Sequence, residues 1–232
     1  MGGMTSTGTY AFNPAASNLT LMAFSRVGIK QTEITAQHMY VADSEANLVQ
    51  VELSNRQPNL WTSTLQSVTL TDGTASYALP PQLIAIQAAY ITTTSGSVST
   101  DRIIWPLSAF EYAAMPNKAQ QGPPTAYWLN MQISPTITLW PVPDDAATYT
   151  LNIRAVNQIQ DASLRSGTTL NLPFRFLDVW VAGLALRLAR HFARDQEMIR
   201  KADYKDAWDV ALMQDQEQVP IYITPGASSY WG

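Results

Sequence analysis

Residues able to act as acids, bases or metal ligands are few in this sequence. The 232 residues include two histidines, His38 and His191, and no cysteine. Both histidines fall in predicted helices, where we expect structural or solvated roles. Without cysteine there are no disulfides and no thiolate metal sites. Because a metal ion needs several convergent ligands, the sequence predicts no metal site and no cofactor.

Carboxylates are the second possible source of chemistry, as general acids and bases. Asp203, Asp206 and Asp209 recur every three residues, a series that drifts around a helix of 3.6 residues per turn. Asp144 and Asp145 are typical of a turn. Catalysis would need two carboxylates that meet in one cleft, and neither group predicts one. The sequence motifs of nucleotide-binding loops, zinc proteases and serine hydrolases are also absent, so we expect no enzyme.

Three arginines are better candidates for binding. Arg187, Arg190 and Arg194 recur at spacings of three and four, away from the apolar side of a predicted helix. One interpretation is a solvated helix edge with intrahelical ion pairs. The other is a basic stripe that contacts a neighbouring subunit or lines a DNA channel, because cationic side chains bind phosphates and acidic surfaces.

The segment after the last predicted helix combines proline with large apolar side chains. Pro220 and Pro225 keep it out of a helix and favour an extended arm. A free tail is normally polar, so we expect residues 219–232 to dock on the chain's own body or on a partner. The candidate partner-binding residues are Ile221, Tyr222, Ile223, Tyr230 and Trp231.

The composition indicates a sizeable core with few charges. The chain is 46% hydrophobic and 14% charged, with a formal net charge of −4. Ordinary globular domains carry about 25% charged residues, so this chain either buries surface in an assembly or is rich in Thr-bearing strands. Its net charge argues against general nucleic-acid binding but permits a local basic patch. Neither a signal peptide nor a membrane span is expected.

Two helix pairs are predicted, one toward each end of the chain. In the first pair, a helix from Ser17 to Gly28 precedes a helix that Thr35 caps. In the second pair, apolar spacing between Leu172 and Gln218 predicts two helices of ~30 Å each. The expected buried residues are Leu19, Met22, Ala23, Phe24, Val27, Met39, Ala42, Ala46, Val49, Leu53, Leu177, Trp180, Val181, Leu184, Leu188, Phe192, Met198, Ala202, Trp208 and Leu212.

The residues between these pairs predict β structure. Short apolar runs alternate with turns about every 8–12 residues, which is typical of a sandwich or small barrel. Asp72-Gly73 predicts a hairpin, and Ser108 with Glu111 predicts a capped short helix. The expected core is Leu70, Tyr77, Ile86, Ile104, Ile137, Trp140 and Leu151. We also expect the strand tryptophans to pack in the core, namely Trp61, Trp105, Trp128 and Trp140.

Together these elements predict an α+β fold. Residues 1–60 form an N-terminal helix pair and residues 157–218 a C-terminal pair that packs on it as a four-helix unit. Residues 61–156 form an inserted antiparallel β-sandwich or small barrel. Residues 219–232 form an extended docking tail.

Several short motifs follow one another in a recognisable order between about residues 15 and 218. They are Arg26-Val27-Gly28-Ile29, Thr35-Ala36-Gln37-His38-Met39, Asn59-Leu60-Trp61, Tyr77-Ala78-Leu79-Pro80, Gly122-Pro123-Pro124-Thr125-Ala126-Tyr127, Leu139-Trp140-Pro141-Val142-Pro143-Asp144, Leu172-Pro173-Phe174 and Ala185-Leu186-Arg187-Leu188-Ala189. In this order the chain resembles the head-to-tail adaptor (connector) family of short-tailed bacteriophages. That family includes packaged-DNA stabilisation proteins and tail tubular protein A. The second helix departs from the family pattern by carrying fewer charges.

The resemblance implies a structural virion protein, made in the host bacterial cytoplasm and located at the portal vertex, the head-tail junction. It implies a homo-oligomeric ring, typically a dodecamer, that binds the portal protein. Such a ring would extend the DNA channel, retain packaged DNA without sequence specificity and dock downstream nozzle or fibre proteins. Two alternatives stay open, a glycan-binding sandwich of a tail fibre and a virion-associated hydrolase.

Overall fold

The computed structural model describes residues 8–56, 60–164 and 167–213, which form five α-helices and eight strands. The helices are α1 (Ala16–Arg26), α2 (Ala36–Arg56), α3 (Ala109–Ala114), α4 (Leu177–Phe192) and α5 (Glu197–Leu212). The strands are β1 (Ser63–Thr69), β2 (Ser76–Ala78), β3 (Leu83–Ser95), β4 (Val98–Ile103), β5 (Trp105–Leu107), β6 (Ala126–Asn130), β7 (Thr136–Trp140) and β8 (Thr148–Asn157). This order confirms the predicted α+β fold, with helices from both chain ends and strands between them.

Helix α4 is the centre of the helical part. It packs against α1, α2 and α5, and most of its side chains are buried on every side. A helix that is apolar all round belongs in a core. The prediction of one apolar side and one basic side is therefore wrong for most of α4, because three other helices surround it. Its exposed residues, among them Asp178 and Arg190, lie near its two ends.

Helix α2 begins where its sequence predicts. The Thr35 hydroxyl accepts a hydrogen bond from the His38 backbone N–H, and His38 Nδ1 accepts one from the Thr35 backbone N–H. This reciprocal pair resembles a capping box, with histidine in the place of glutamate. The His38 ring also packs edge-on against Phe192, with centroids 4.6 Å apart. His38 therefore has the structural role that was predicted.

Three residues expected in the helical core lie at the surface. Met22 is 46% exposed and Met198 75% exposed, and Ala202 is also exposed. Helix α5 buries Trp208, as predicted. It buries Tyr204 and Ala211 in place of Met198 and Ala202. Two sides of α5 fit the apolar spacing, and the position of α4 decides which one is covered.

The strands form two four-stranded sheets, ordered β1-β8-β3-β4 and β2-β7-β6-β5. The β5–β6 pair is parallel and the other pairs among the described strands are antiparallel. Buried residues from both sheets share one apolar cluster, and the helices share another. The two sheets thus pack face to face as a sandwich, the first of the two predicted alternatives.

The Asp72-Gly73 turn does not join two paired strands. Gly73 has the positive φ of a tight turn, 69°, but β1 pairs with β8 and β2 pairs with β7. The turn carries the chain from one sheet to the other. The hairpin prediction is wrong because a local turn signal does not specify which strands pair. Leu70, which follows β1, and Tyr77 of β2 both pack in the apolar cluster that the two sheets share. The strands β1 and β2 therefore contribute to this cluster from different sheets.

Most of the predicted β core is confirmed. Four of its members are buried, namely Leu70, Ile104, Ile137 and Leu151. Tyr77 and Ile86 are partly buried and pack against these residues. Trp140 is a correction, because it is only half-buried. Its neighbour Leu139 points into the core, so Trp140 points to the outer face of the sheet, where its Nε1–H donates to the Asn117 carbonyl.

Gly183 in α4 allows three helices to approach closely. A Cβ at this position would lie 3.0 Å from the Tyr204 ring and 3.3 Å from a Val49 methyl. We expect Gly183→Val to lower the free energy of unfolding by about 1–3 kcal/mol, the usual cost of overpacking. Valine is the better helix former, so steric crowding must dominate this loss. Chemical denaturation measures the change.

The matched control is Ser44→Val, which places the same side chain on the exposed side of α2. It should change the free energy of unfolding by less than about 0.5 kcal/mol. If Gly183→Val lowered the free energy of unfolding no more than Ser44→Val does, close approach of the three helices at Gly183 would not matter for stability.

Candidate functional site

Arg187 links α4 to α2 through two carboxylates. Its Nη1 donates to Glu45 Oε2 and its Nη2 donates to Glu52 Oε2, each at 3.0 Å. The arginine side chain is only 21% exposed. Charge-assisted hydrogen bonds of this kind are the stronger ones in proteins. Arg187 therefore holds two helices together within one chain.

The same cluster extends along α4 and onto α5. His191 Nε2 lies 2.9 Å from Glu45 Oε1, and Arg56 donates from its Nε and Nη2 to Glu52 Oε1. The Arg56 guanidinium also lies 4.9 Å from the centroid of the Tyr204 ring, a cation–π distance. Charged side chains thereby connect α2 to both α4 and α5.

The ion pairs determine the protonation of the cluster. Burial would raise the pKa of Glu45, but hydrogen bonds from His191 and Arg187 outweigh it and hold the pKa below its ordinary value. Burial acts in the same direction on Glu52, where hydrogen bonds from Arg56 and Arg187 again lower the pKa. Both carboxylates are therefore ionised at neutral pH.

The other two predicted arginines are exposed. Arg190 Nε donates to Glu197 Oε1 at 3.0 Å, which joins α4 to α5. Arg194 lies between these helices, and its Nε donates to the Arg190 carbonyl. The structure thus separates the three arginines into one enclosed residue and two surface residues. A contact of the surface pair with a subunit or DNA stays a prediction.

A groove of about 550 Å³ lies beside this cluster, between α2, α4 and α5. Its apolar and aromatic lining is Leu186, Met198, Ala202 and Tyr204, and its charged lining is Glu52, Arg56, Arg187, Arg190, Lys201 and Lys205. Sequence reasoning missed Lys201 and Lys205. Their spacing of four residues, which places them on one side of α5, was the available signal.

A cleft of about 690 Å³ lies beside the chain that leaves β8. Its lining is mostly uncharged and polar, and Asp161 is the single carboxylate among its described lining residues. Acid–base hydrolysis requires two carboxylates that converge. This cleft does not supply the pair that the hydrolase alternative needs.

The tryptophans that the structure describes do not form the exposed plane that a glycan platform needs. Trp105 is 68% exposed, contrary to its predicted burial, because β5 is an edge strand. Trp128 is half-buried and stacks on Tyr112, with ring centroids 5.3 Å apart. Trp61 and Trp140 are also half-buried. In the part of the chain that the structure describes, Trp105 is the one strongly exposed tryptophan.

The acidic residues serve local roles. Asp203 pairs with Arg200 at 2.8 Å within α5. The Asp144 carboxylate accepts hydrogen bonds from the Ala146 backbone N–H and the Tyr149 hydroxyl, which confirms its predicted turn role. Among the described residues no group of three potential metal ligands occurs. No described helix is long and apolar enough to cross a membrane.

The predicted tail contacts lie outside the described residues. They are Ile221, Tyr222, Ile223, Tyr230 and Trp231. Their role in partner binding stays a prediction.

Together, the fold and the site define an α+β protein in which a cluster of charged side chains joins its own helices. The sequence matches the family model described as SU10 adaptor protein over residues 19–227. The chain therefore belongs to the SU10 adaptor protein family. A comparison with curated proteins finds no match.

Family membership confirms the broad form of the resemblance. The chain is a phage adaptor and a structural component of the virion at the head-tail junction. The narrower likeness to tail tubular protein A stays a prediction.

Loss of the α2–α4 ion pairs should destabilise the protein. We expect Arg187→Gln to lower the free energy of unfolding by about 1–3 kcal/mol at neutral pH, because Glu45 and Glu52 lose a charged partner while partly buried. Urea denaturation measures the loss. Arg194→Gln is the control, since that side chain is exposed, and it should shift the value by less than about 0.5 kcal/mol. Equal effects of the two substitutions would contradict the role of Arg187.

Acid should weaken the same contact. The pKa values of Glu45 and Glu52 lie below 4.5 in the folded protein, so on acidification the unfolded chain binds protons first. The free energy of unfolding should therefore fall as the pH drops through 4.5 and below. Arg187→Gln should reduce this dependence, which denaturation at several pH values measures. The same pH dependence in both proteins would show that other groups cause it.

Proposed function

We propose that this chain forms a homo-oligomeric ring of the virion, not an enzyme, that attaches to the portal protein. The ring extends the DNA channel, helps to retain packaged DNA and presents a docking surface to downstream tail proteins. The observation that carries the proposal is the family match, which spans both helical ends and the strands between them. A dodecamer is part of the proposal.

The proposed division of the chain follows its two apolar clusters. We assign residues 1–60 and 157–218 to one helical unit, 61–156 to an inserted sandwich module and 219–232 to a docking tail. The chain that returns from the sandwich is hydrogen-bonded to α2, where Ser54 Oγ accepts from the backbone N–H of residue 159 at 3.1 Å. This hydrogen bond ties the start of the second helical segment to α2 and supports assigning both segments to one helical unit.

Exposed apolar side chains support an assembly role. Tyr40 is 72% exposed, and Leu48 and Val51 follow it on the outer side of α2. On the sandwich, Trp105 and Phe110 are exposed beside an edge strand. Large apolar and aromatic residues on a surface are typical anchors of protein interfaces. They offer contacts for subunits, the portal or the tail.

Four exposed cations lie at the end of α4, in the joint that follows it and along α5. Arg190, Arg194, Lys201 and Lys205 lie there, in a chain whose net charge is −4. Contacts from such side chains to phosphates do not depend on base sequence. Exposed cationic side chains of this kind suit a ring that holds packaged DNA or meets an acidic neighbour, and they alternate with the exposed carboxylates Asp195, Asp206 and Asp209.

Electron microscopy tests the ring directly. Negative-stain images of the purified chain, alone and mixed with portal protein, should show rings of about a dozen subunits, as closed cyclic assembly requires. The portal mixture should show the ring joined to the portal. Monomers in both samples would contradict the proposal.

The exposed arginine pair supplies a second test. Arg190→Ala combined with Arg194→Ala should weaken ring assembly or DNA retention, most clearly at low salt, because the lost charge contacts are the ones that salt screens. Arg187 is kept intact because it links helices within the subunit. Arg154→Ala, exposed on β8 of the sandwich, is the control. Unchanged assembly and DNA retention at every salt concentration would show that the pair is only a solvated edge.

A further inference from the structure

The groove between α2, α4 and α5 combines an apolar floor with a cationic rim. Met198 is 75% exposed on the floor, and Lys201 and Lys205 are exposed on the rim. The rim arginines are already paired with glutamates of the same chain. The two lysines have no ion pair among the described residues, so they give the rim its unbalanced positive charge.

A partner for this groove must bring carboxylates to the rim and apolar side chains to the floor. The chain itself contains such a segment. Residues 214–232 include Asp215 and Glu217 and no lysine or arginine. Four residues after Glu217 the apolar run Ile221, Tyr222 and Ile223 begins. Along this segment the acidic residues come first and the apolar residues second. The acidic part could therefore meet the lysines of the rim while the apolar part meets the adjacent floor.

Distance along the chain favours a segment from another copy. Lys201 lies twelve residues before Met213, about 18 Å along the axis of α5. Asp215 and Glu217 lie only two and four residues beyond Met213, which is about 7 and 14 Å of fully extended chain. Within one copy the backbone would have to reverse at once after Met213 and run back nearly fully extended to bring Glu217 beside Lys205, which lies about 12 Å back along the axis of α5. A second copy has no such limit.

We propose that the groove receives residues 215–223 of a second copy of this chain. The carboxylates of Asp215 and Glu217 lie on Lys201 and Lys205, and the apolar run covers the floor. The proposal rests on the ring proposed above and names one contact between its successive subunits. Each copy gives one segment and receives another, so the contact is heterologous and can close a ring.

Engineered cysteines test the contact in the full chain, which has no cysteine of its own. Met198→Cys combined with Tyr222→Cys, treated with oxidised glutathione, should form disulfides between copies. Non-reducing gels should show dimers and a ladder of higher oligomers that reductant removes. Each single substitution can form at most a dimer. The position control is Met22→Cys with Tyr222→Cys, since Met22 is exposed on α1, and it should give no ladder.

Charge reversal tests the rim. Adding Lys201→Glu and Lys205→Glu to the cysteine pair should reduce the cross-linked fraction at least several-fold, because like charges then face each other. Further addition of Asp215→Lys and Glu217→Lys should restore the ladder by exchanging the signs. Arg154→Glu is the matched control and should leave the ladder unchanged. Circular dichroism should confirm that each variant is folded.

Three outcomes would overturn the inference. They are a disulfide within one chain only, an equal ladder from the Met22 control, and a ladder unaffected by lysine reversal. Negative-stain images of the unsubstituted protein separate this failure from failure of the proposed function. Rings without the cross-link would reject the groove contact and leave the adaptor ring standing. Absence of rings would reject the ring itself.

Discussion

Burial of α4 is the constraint on which the rest of the helical structure depends. This helix has buried apolar side chains on every side, so it is stable only if several partners cover it at once. Those partners are α1 and α2 from before the strands and α5 from after them. Because helices from before and after the strands pack on α4, the segment that carries the strands must start and end at this helical unit. The inserted position of the sandwich follows from the covering of α4.

Electrostatics add direction to this apolar packing. Side chains are interchangeable within a core of similar volume, whereas an arginine between two carboxylates specifies which faces meet. Arg187 does this between α2 and α4, with Glu45 and Glu52 as its partners. In a chain with only 14% charged residues, several of them thus form ion pairs between helices of the same subunit. The exposed lysines of α5, Lys201 and Lys205, have no such ion pair among the described residues, which makes them candidates for contacts outside the subunit.

The adaptor role fits a subunit with well-packed cores and with large apolar side chains exposed at its surface. The two sheets share one core and the helices share another, while large apolar side chains such as Tyr40, Trp105 and Phe110 lie at the surface. The proposed ring would need subunits with well-packed cores, and its proposed neighbours would need surfaces to bind. Both requirements are met by the distribution of apolar residues, and neither calls for a reactive cluster.

Local signals in the sequence determined which elements form. Thr35 and Ser108 cap helices at the predicted places, and apolar spacing identified many of the buried residues of α1, α2 and α4 because those patterns depend on near neighbours in the chain. Tertiary structure alone decided which faces meet. It buried Tyr204 of α5 in place of Met198, separated the strands on either side of Asp72-Gly73, and enclosed Arg187 while leaving Arg190 exposed. Each of these outcomes depends on residues far apart in the chain, whose mutual burial no local pattern specifies.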